Sequence, residues 1–452
     1  MADAPTTASM GNIGTGRRSA PICGSDRHLK SWNSHSNKVE KSVMRTQEHR
    51  IGNPAVDLPR QLGVRTPIKR LGAWILNLLL FVVTLPGRLV CRKASPPSGD
   101  PARILIIRAD QIGDVIMSTA ILPALRQSFP AARIDSLCGS WAAEIIRFNR
   151  YIDNVIVFDC PWWAPAGSRA RSWKKFPWHV LRLIAALRRT RYDVAIDLRG
   201  DIRHIFLFTY LSGAGRRISN DRSGGRFLLT DCVPYQEDLH ELEKDWVVLA
   251  PLGIPPADHP PEVHYTQEHM QAAAAVLKAH DIRPKRFIVV FNGGRSPLRH
   301  IPMPVLAQAC SQLMKKTGNA IVIVGSSADH RRADVLLRRI AELSGDDSAL
   351  HNLCGRLNLL ELAALISAAR LFIGTDSSVS HLAAAAGVPR VVVFGPTDPH
   401  LCAPEGAQTI HHRHPCCPYL WTRCLVSHNR ISVAGVEAIS AQEIANAAAP
   451  ML

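Results

Sequence analysis

ILIIRADQIGD (residues 104–114) and LFIGTDSSVSH (residues 371–381) decide the fold. Each is an apolar run that breaks into polar residues just before an amphipathic helix, as a buried parallel strand does when it turns into its crossover helix. In open parallel α/β sheets, ligands bind outside the carboxyl ends of the strands. A helix N-terminus there offers free N–H groups and a partial positive charge to phosphate. Two such junctions in separate halves predict two domains with a site in the cleft between them.

Working outward, residues 103–108, 133–138, 154–158 and 193–197 read as strands, with helices over 113–127 and 178–189. After residues 242–252 and a stretch with Pro255, Pro256, Pro260 and Pro261, the series restarts. Strands are expected at 287–291, 320–324, 371–374 and 390–394, and helices at 304–316, 331–343, 360–369 and 380–386. This alternation predicts an α/β fold of two Rossmann-like, doubly wound domains, residues 101–262 and 263–452, facing a cleft. No GxGxxG opens either half, which disfavours a dinucleotide oxidoreductase.

The chain has 452 residues, 46% hydrophobic and 20% charged, enough to bury two cores. Its formal charge of +17 is unevenly placed: residues 1–100 hold 15 Lys and Arg against 6 Asp and Glu. Residues 1–70, poor in apolar periodicity, read as a basic, disordered arm. No helix-turn-helix, RNA-recognition or zinc-finger signature accompanies the charge, so nucleic acid is not an expected partner. Residues 71–87 (LGAWILNLLLFVVTLPG) carry no charge and lie between Lys69/Arg70 and Arg88/Arg92/Lys93. Seventeen helical residues reach about 26 Å, just short of a hydrocarbon core of roughly 30 Å. Residues 71–93 therefore read as a membrane-associated helix, spanning or lying in one leaflet, with docking on the globular body as the alternative. Residues 94–101 form a linker.

The 11 cysteines follow no regular framework and read as reduced thiols. Cys416, Cys417 and Cys424 cluster near His411, His412 and His414. Their spacing fits no paired CxxC knuckle, and no metal site is expected.

Several residues stand where chemistry is done. Asp114 follows Gly113 at a strand-to-helix junction; a plain helix-start acid is the competing reading, and Asp110 is its nearest rival. Asp329 lies just beyond Gly325, where a carboxylate can accept from ribose hydroxyls or simply cap a helix. Arg199 and Arg203 follow the strand at 193–197 toward the same cleft.

Five segments, in order, resemble glycosyltransferase family 9, the heptosyltransferases of lipopolysaccharide core assembly. They are residues 104–134, 291–302 (FNGGRSPLRHIP), 324–335 (VGSSADHRRADV), 353–362 (LCGRLNLLEL) and 374–381 with 393–399 (VFGPTDP). The resemblance implies the GT-B fold and a cytoplasmic-face, metal-independent, inverting transfer of a sugar without any cofactor. The donor it favours is ADP-heptose, and the acceptor a lipid-linked or polysaccharide glycan at the bacterial inner membrane. It makes Asp114 the general base and assigns the donor to Arg295, Arg299, Gly325, Asp329, Asp376, Ser377, Ser378 and His381, with 353–362 around the adenine. Arg199, Arg203 and His240 fall on the acceptor side. Two departures stand out: Arg299 replaces the family's usual Lys, and Ser378 replaces a Gly in Asp-Ser/Thr-Gly-x-x-His. The rival readings are a non-catalytic sugar-nucleotide-binding or envelope-assembly protein and an NDP-sugar epimerase.

Overall fold

The computed structural model describes residues 67–90, 99–164, 166–294, 296–413 and 434–452. The basic arm up to residue 66, Arg295 and the Cys416–Cys417–Cys424 cluster lie outside the described residues.

Two six-stranded, wholly parallel sheets carry the fold. The first holds β1 (Arg103–Ile107), β2 (Arg133–Cys138), β3 (Asn154–Val157), β4 (Val194–Asp197), β5 (Arg216–Asn220) and β6 (Asp231–Val233) in the order β3-β2-β1-β4-β5-β6. The second holds β7 (Phe287–Phe291), β8 (Ala320–Ile323), β9 (Leu350–Asn352), β10 (Leu371–Thr375), β11 (Arg390–Val393) and β12 (Gln408–Ile410) in the order β12-β11-β10-β7-β8-β9. Counted within each half, both orders are 3-2-1-4-5-6, the doubly wound Rossmann order. The central strands β1, β4, β7 and β10 are buried almost throughout, because helices cover both faces and every side chain needs an apolar neighbour.

Strand order reverses between β1 and β4 in the first sheet and between β7 and β10 in the second. Crossovers leave toward opposite faces at such a point, which opens a crevice at the carboxyl ends. The four loops rimming the two crevices are therefore those after residues 107, 197, 291 and 375.

Five helices frame the cleft and its flanks: α1 (Pro67–Val90), α2 (Ile112–Ser118), α3 (Ala166–Thr190), α4 (Glu241–Leu249) and α5 (Ser378–Ala385). The helix expected over 113–127 is broken. A 3₁₀ turn, Thr119–Ile121, separates α2 from a helix at Leu122–Ser128. Ser118 and Thr119 turn their hydroxyls back onto the carbonyls of Val115 and Ile116, and Pro123 has no N–H with which to continue the ladder.

The halves share a core. Val115, Ile116, Ala142, Ile145 and Ile146 of the first pack in one cluster with Phe287, Val289, Leu360, Val379 and Leu382 of the second. Helix α1 is docked on the first half: Leu80 and Phe81 lie against Ile205, Phe227 and Leu228. Among the described residues no helix is long and apolar enough to cross a membrane.

Candidate active site

Loop β1–α2 carries the first carboxylates. Asp114 stands in the first turn of α2, its side chain 15% exposed, and Arg199 Nη1 approaches its Oδ2 at 3.4 Å. Asp110 is 0% exposed and boxed by Arg108 Nε at 3.5 Å and Arg199 Nη1 at 3.3 Å. Burial raises the Asp110 pKa to about 6, against the pull of Arg108 and Arg199. A fully buried carboxylate between two guanidinium groups cannot reach an acceptor hydroxyl, so the geometry favours Asp114 of the two.

A buried ionic chain supports this pair. Arg108 donates from Nη1 to Asp245 Oδ1 at 3.1 Å and to the Leu198 carbonyl at 3.1 Å. Burial opposes the charge of Arg108, but Asp110 and Asp245 outweigh it and hold the guanidinium protonated. Buried charges of this kind persist only when paired, and losing one partner strands the other. Arg199 also lies over the Trp163 ring, 4.9 Å from its centroid, and so stays fixed beside Asp114.

Of the other acceptor-side candidates, Arg203 is paired with both oxygens of Asp201 and stacked over Trp162. Its charge is already matched within its own loop. His240 has two structural tasks: its Nδ1 accepts from Leu242 N at 3.2 Å as the cap of α4, and its Nε2 meets the Ala403 carbonyl at 3.1 Å. It joins the two halves, since residue 403 follows the second sheet's β11.

In the second half, Arg299 Nη1 donates to the Asp376 carbonyl at 3.0 Å and pairs with Asp376 Oδ2 at 3.2 Å. Thr397 Oγ1 donates to the same Oδ2. Asp376, 4% exposed, thus ties the loop after β7 to the loop after β10. Ser377 is the N-cap of α5, and Ser378 opens its first turn. His381 is 5% exposed, and burial lowers its pKa against the opposing pull of Asp376 and Asp114.

Gly325 lies two residues past β8, where a β-carbon would press on Asp329 at 3.0 Å and on Cys354 Sγ at 3.2 Å. Asp329 accepts at Oδ2 from Ser326 N (2.9 Å) and Ser326 Oγ (2.6 Å), a capping geometry. That oxygen is occupied locally, while Oδ1 lies beside Gly293 on the loop after β7.

The two crevices meet. A β-carbon at Gly113 would lie 3.8 Å from Cα of Ser378, so α2 and α5 touch at their N-terminal turns. Asp114, Arg199, Ser378 and His381 are thereby brought together; Asp329 and His240 stand at the margins with structural duties. Sequence reasoning missed Arg108, Asp245, Trp162 and Trp163. Asp245 is one of several charged residues in LHELEKDW (residues 239–246), and only the fold shows that it is turned inward.

Known proteins resemble the chain in sequence and in architecture. It is 25% identical over 343 residues to lipopolysaccharide heptosyltransferase 1 of Pseudomonas aeruginosa, covering 71% of this chain and 87% of that protein. It is 27% identical to lipooligosaccharide heptosyltransferase 2 of Haemophilus ducreyi, over 68% of this chain and 87% of the relative. Among solved structures it superposes on the glycosyltransferase of family 9 from Veillonella parvula with a TM-score of 0.64 at 20% identity, covering 79% and 99% of the two chains. Against the Escherichia coli ADP-heptose lipopolysaccharide heptosyltransferase II the TM-score is 0.60 at 20% identity, with 77% and 98% covered. Residues 180–424 match glycosyltransferase family 9 (heptosyltransferase), more than half of the chain. With two Rossmann-like sheets whose switch points meet at Asp114 and α5, the chain belongs to glycosyltransferase family 9 and is a glycosyl-transferring enzyme.

Proposed function

We propose that this protein transfers a heptose, with inversion and without a metal ion, from ADP-heptose to a lipopolysaccharide core acceptor at the cytoplasmic face of the bacterial inner membrane. The observation that carries the reading is the meeting of α2 and α5. A solvent-reached carboxylate at one switch point faces a helix start, with a guanidinium beside it, at the other. The relatives named for lipopolysaccharide heptosyl transfer support the sugar and the acceptor, and the Escherichia coli neighbour named for ADP-heptose supports the donor.

In this reading Asp114 takes the proton of an acceptor hydroxyl as its oxygen attacks the anomeric carbon. The bond from that carbon to the diphosphate oxygen breaks in the same displacement, and ADP leaves with the electron pair. Arg299 and the free N–H groups at the start of α5 receive the charge that grows on the diphosphate, with His381 as a neutral donor. Arg199 holds one oxygen of Asp114, so the carboxylate is aimed before the acceptor arrives. We assign the acceptor to residues 101–262 and the donor to residues 263–452.

The test is ADP release from ADP-heptose measured with and without a heptose-deficient lipopolysaccharide acceptor, beside UDP- and GDP-sugars. Release that requires both ADP-heptose and acceptor supports the reading. Release from another nucleotide sugar alone reassigns the donor, and acceptor-independent turnover points to a different reaction.

A further inference from the structure

Helix α1 is amphipathic in the wrong sense for water. Leu71, Ile75, Leu78, Leu79, Val82 and Val83 are each between 52% and 71% exposed. Their spacing of three, four, seven and eight residues makes one continuous face, and Trp74 joins it at 38% exposed. The polar members point the other way. Asn77 is 0% exposed and Thr84 6%.

Asn77 is the pin of this arrangement. Its Nδ2 donates to the Ser223 carbonyl at 3.0 Å and its Oδ1 accepts from Gly225 N at 2.8 Å. Gly224, at φ +94°, leaves room for it: a β-carbon there would collide with the Asn77 amide. Phe81 adds an edge contact with Phe227 at 5.3 Å between centroids. A helix held at its middle to a globular domain cannot thread a bilayer, yet its outward stripe is made for an apolar medium.

Charge identifies the medium. Residues 58–99 contain no Asp or Glu, whereas Lys69 and Arg70 precede the stripe in sequence and Arg88, Arg92 and Lys93 follow it. An apolar stripe between two basic clusters complements an anionic lipid surface. A second copy of the chain would cover the stripe only by bringing like charges together. Helix α3 also exposes apolar side chains: Trp178 is 73% exposed and Leu181 60%, beside exposed Arg182. Both helices rest on the segment 202–210, α1 through Phe81 near Ile205 and α3 through Val180 and Leu183 near Phe208.

We propose that α1 is an in-plane anchor that lays the Leu71–Val83 stripe into an anionic membrane leaflet while Asn77 keeps it fastened to the enzyme. The loop it grips also supports the site, because Ser223 Oγ accepts from Ile202 N at 2.8 Å and donates to the Gly200 carbonyl at 2.8 Å, one residue beyond Arg199. The anchor thus holds the acceptor side of the cleft at the lipid surface, a consequence that rests on the lipid-linked acceptor proposed above.

The test uses the full chain with vesicles of phosphatidylglycerol and phosphatidylethanolamine, and with phosphatidylcholine alone. Flotation with the anionic vesicles, weakened by salt and reduced at least tenfold in a Leu78→Glu/Val82→Glu variant of unchanged circular dichroism, is the expected result. ADP release with a detergent-free truncated acceptor should be the same in both proteins. That keeps a failed anchor distinct from a failed transferase assignment. Three outcomes overturn the anchor. The full chain does not float, the double variant floats equally well, or light scattering shows a dimer that the double variant dissociates.

Discussion

A β-carbon on Gly113 would stand 3.1 Å from Cδ2 of His381, so the first turn of α2 and the helix of the opposite half meet with space for a hydrogen and little more. His381, 5% exposed, has almost nowhere to retreat. Gly113→Ala should therefore move the imidazole by a few tenths of an ångström and lower kcat by roughly tenfold, since misplacement of about 1 Å can cost 10². Steady-state ADP release and a thermal melt together test this. An unchanged kcat would show that this contact does not set the catalytic spacing.

Asp114→Asn keeps the shape of the side chain and removes the base. Turnover should fall by about 10² to 10⁴ while ADP binding holds. Equal turnover at equal stability would return Asp114 to a helix-start role.

Arg299→Ala removes the cation beside Asp376 and the proposed diphosphate. ADP binding should weaken by about 1.5–3 kcal/mol, the worth of a hydrogen bond to a charged group, with Arg299→Lys intermediate because it keeps the charge and loses the fork. Isothermal titration with ADP reads both. Ser378→Gly belongs in the same series, and affinity equal to or above that of the parent is expected if the serine merely crowds the helix start. Binding untouched in Arg299→Ala would move the donor site elsewhere.

His204 gives a pH signature. It is 0% exposed, accepts from Trp162 Nε1 at 3.1 Å, and burial lowers its pKa to about 4, with Asp201 opposing and Arg203, Arg199 and Arg108 reinforcing. Below pH ~6.5 the unfolded chain takes a proton that the folded chain refuses. The stability advantage of the parent over His204→Gln is therefore complete above pH ~6.5 and declines as the pH falls toward 4, by up to ~1.4 kcal/mol per pH unit. Urea midpoints of both proteins at pH 7.5, 6 and 5 measure the difference. A constant difference would mean that His204 takes up its proton alike in the folded and the unfolded chain.

The elements legible in the sequence are those whose burial is complete. β1, β4, β7, β10 and β11 are apolar runs because each is covered on both faces, and an apolar run survives without its context. β6 (DCV), β9 (LHN) and β12 (QTI) carry no such signal, being three-residue edge strands with polar side chains, and β5 (RRISN), though paired on both sides, opens on two arginines. Only pairing with a neighbour makes them strands. The loops that hold Asp114, Arg199, Arg299 and His381 are visible as strand-to-helix breaks, but their nearness is not. That follows from a strand order which puts β1 beside β4 and β7 beside β10, and sequence periodicity does not encode order. Arg108 and Asp245 are hidden for another reason: 137 residues separate two charges that explain each other only once both are buried.

The core that the halves hold in common also constrains how the chain is made. All strands of the first sheet have left the ribosome once Val233 has, whereas Phe287, Leu360 and Leu382, which cover Val115, Ile116, Ile145 and Ile146, emerge much later. A nascent first domain must therefore wait with a greasy flank uncovered, the condition under which multidomain chains aggregate or recruit chaperones. A fragment ending at residue 262 should self-associate in gel filtration where the full chain does not, and supplying residues 263–452 in trans should rescue it.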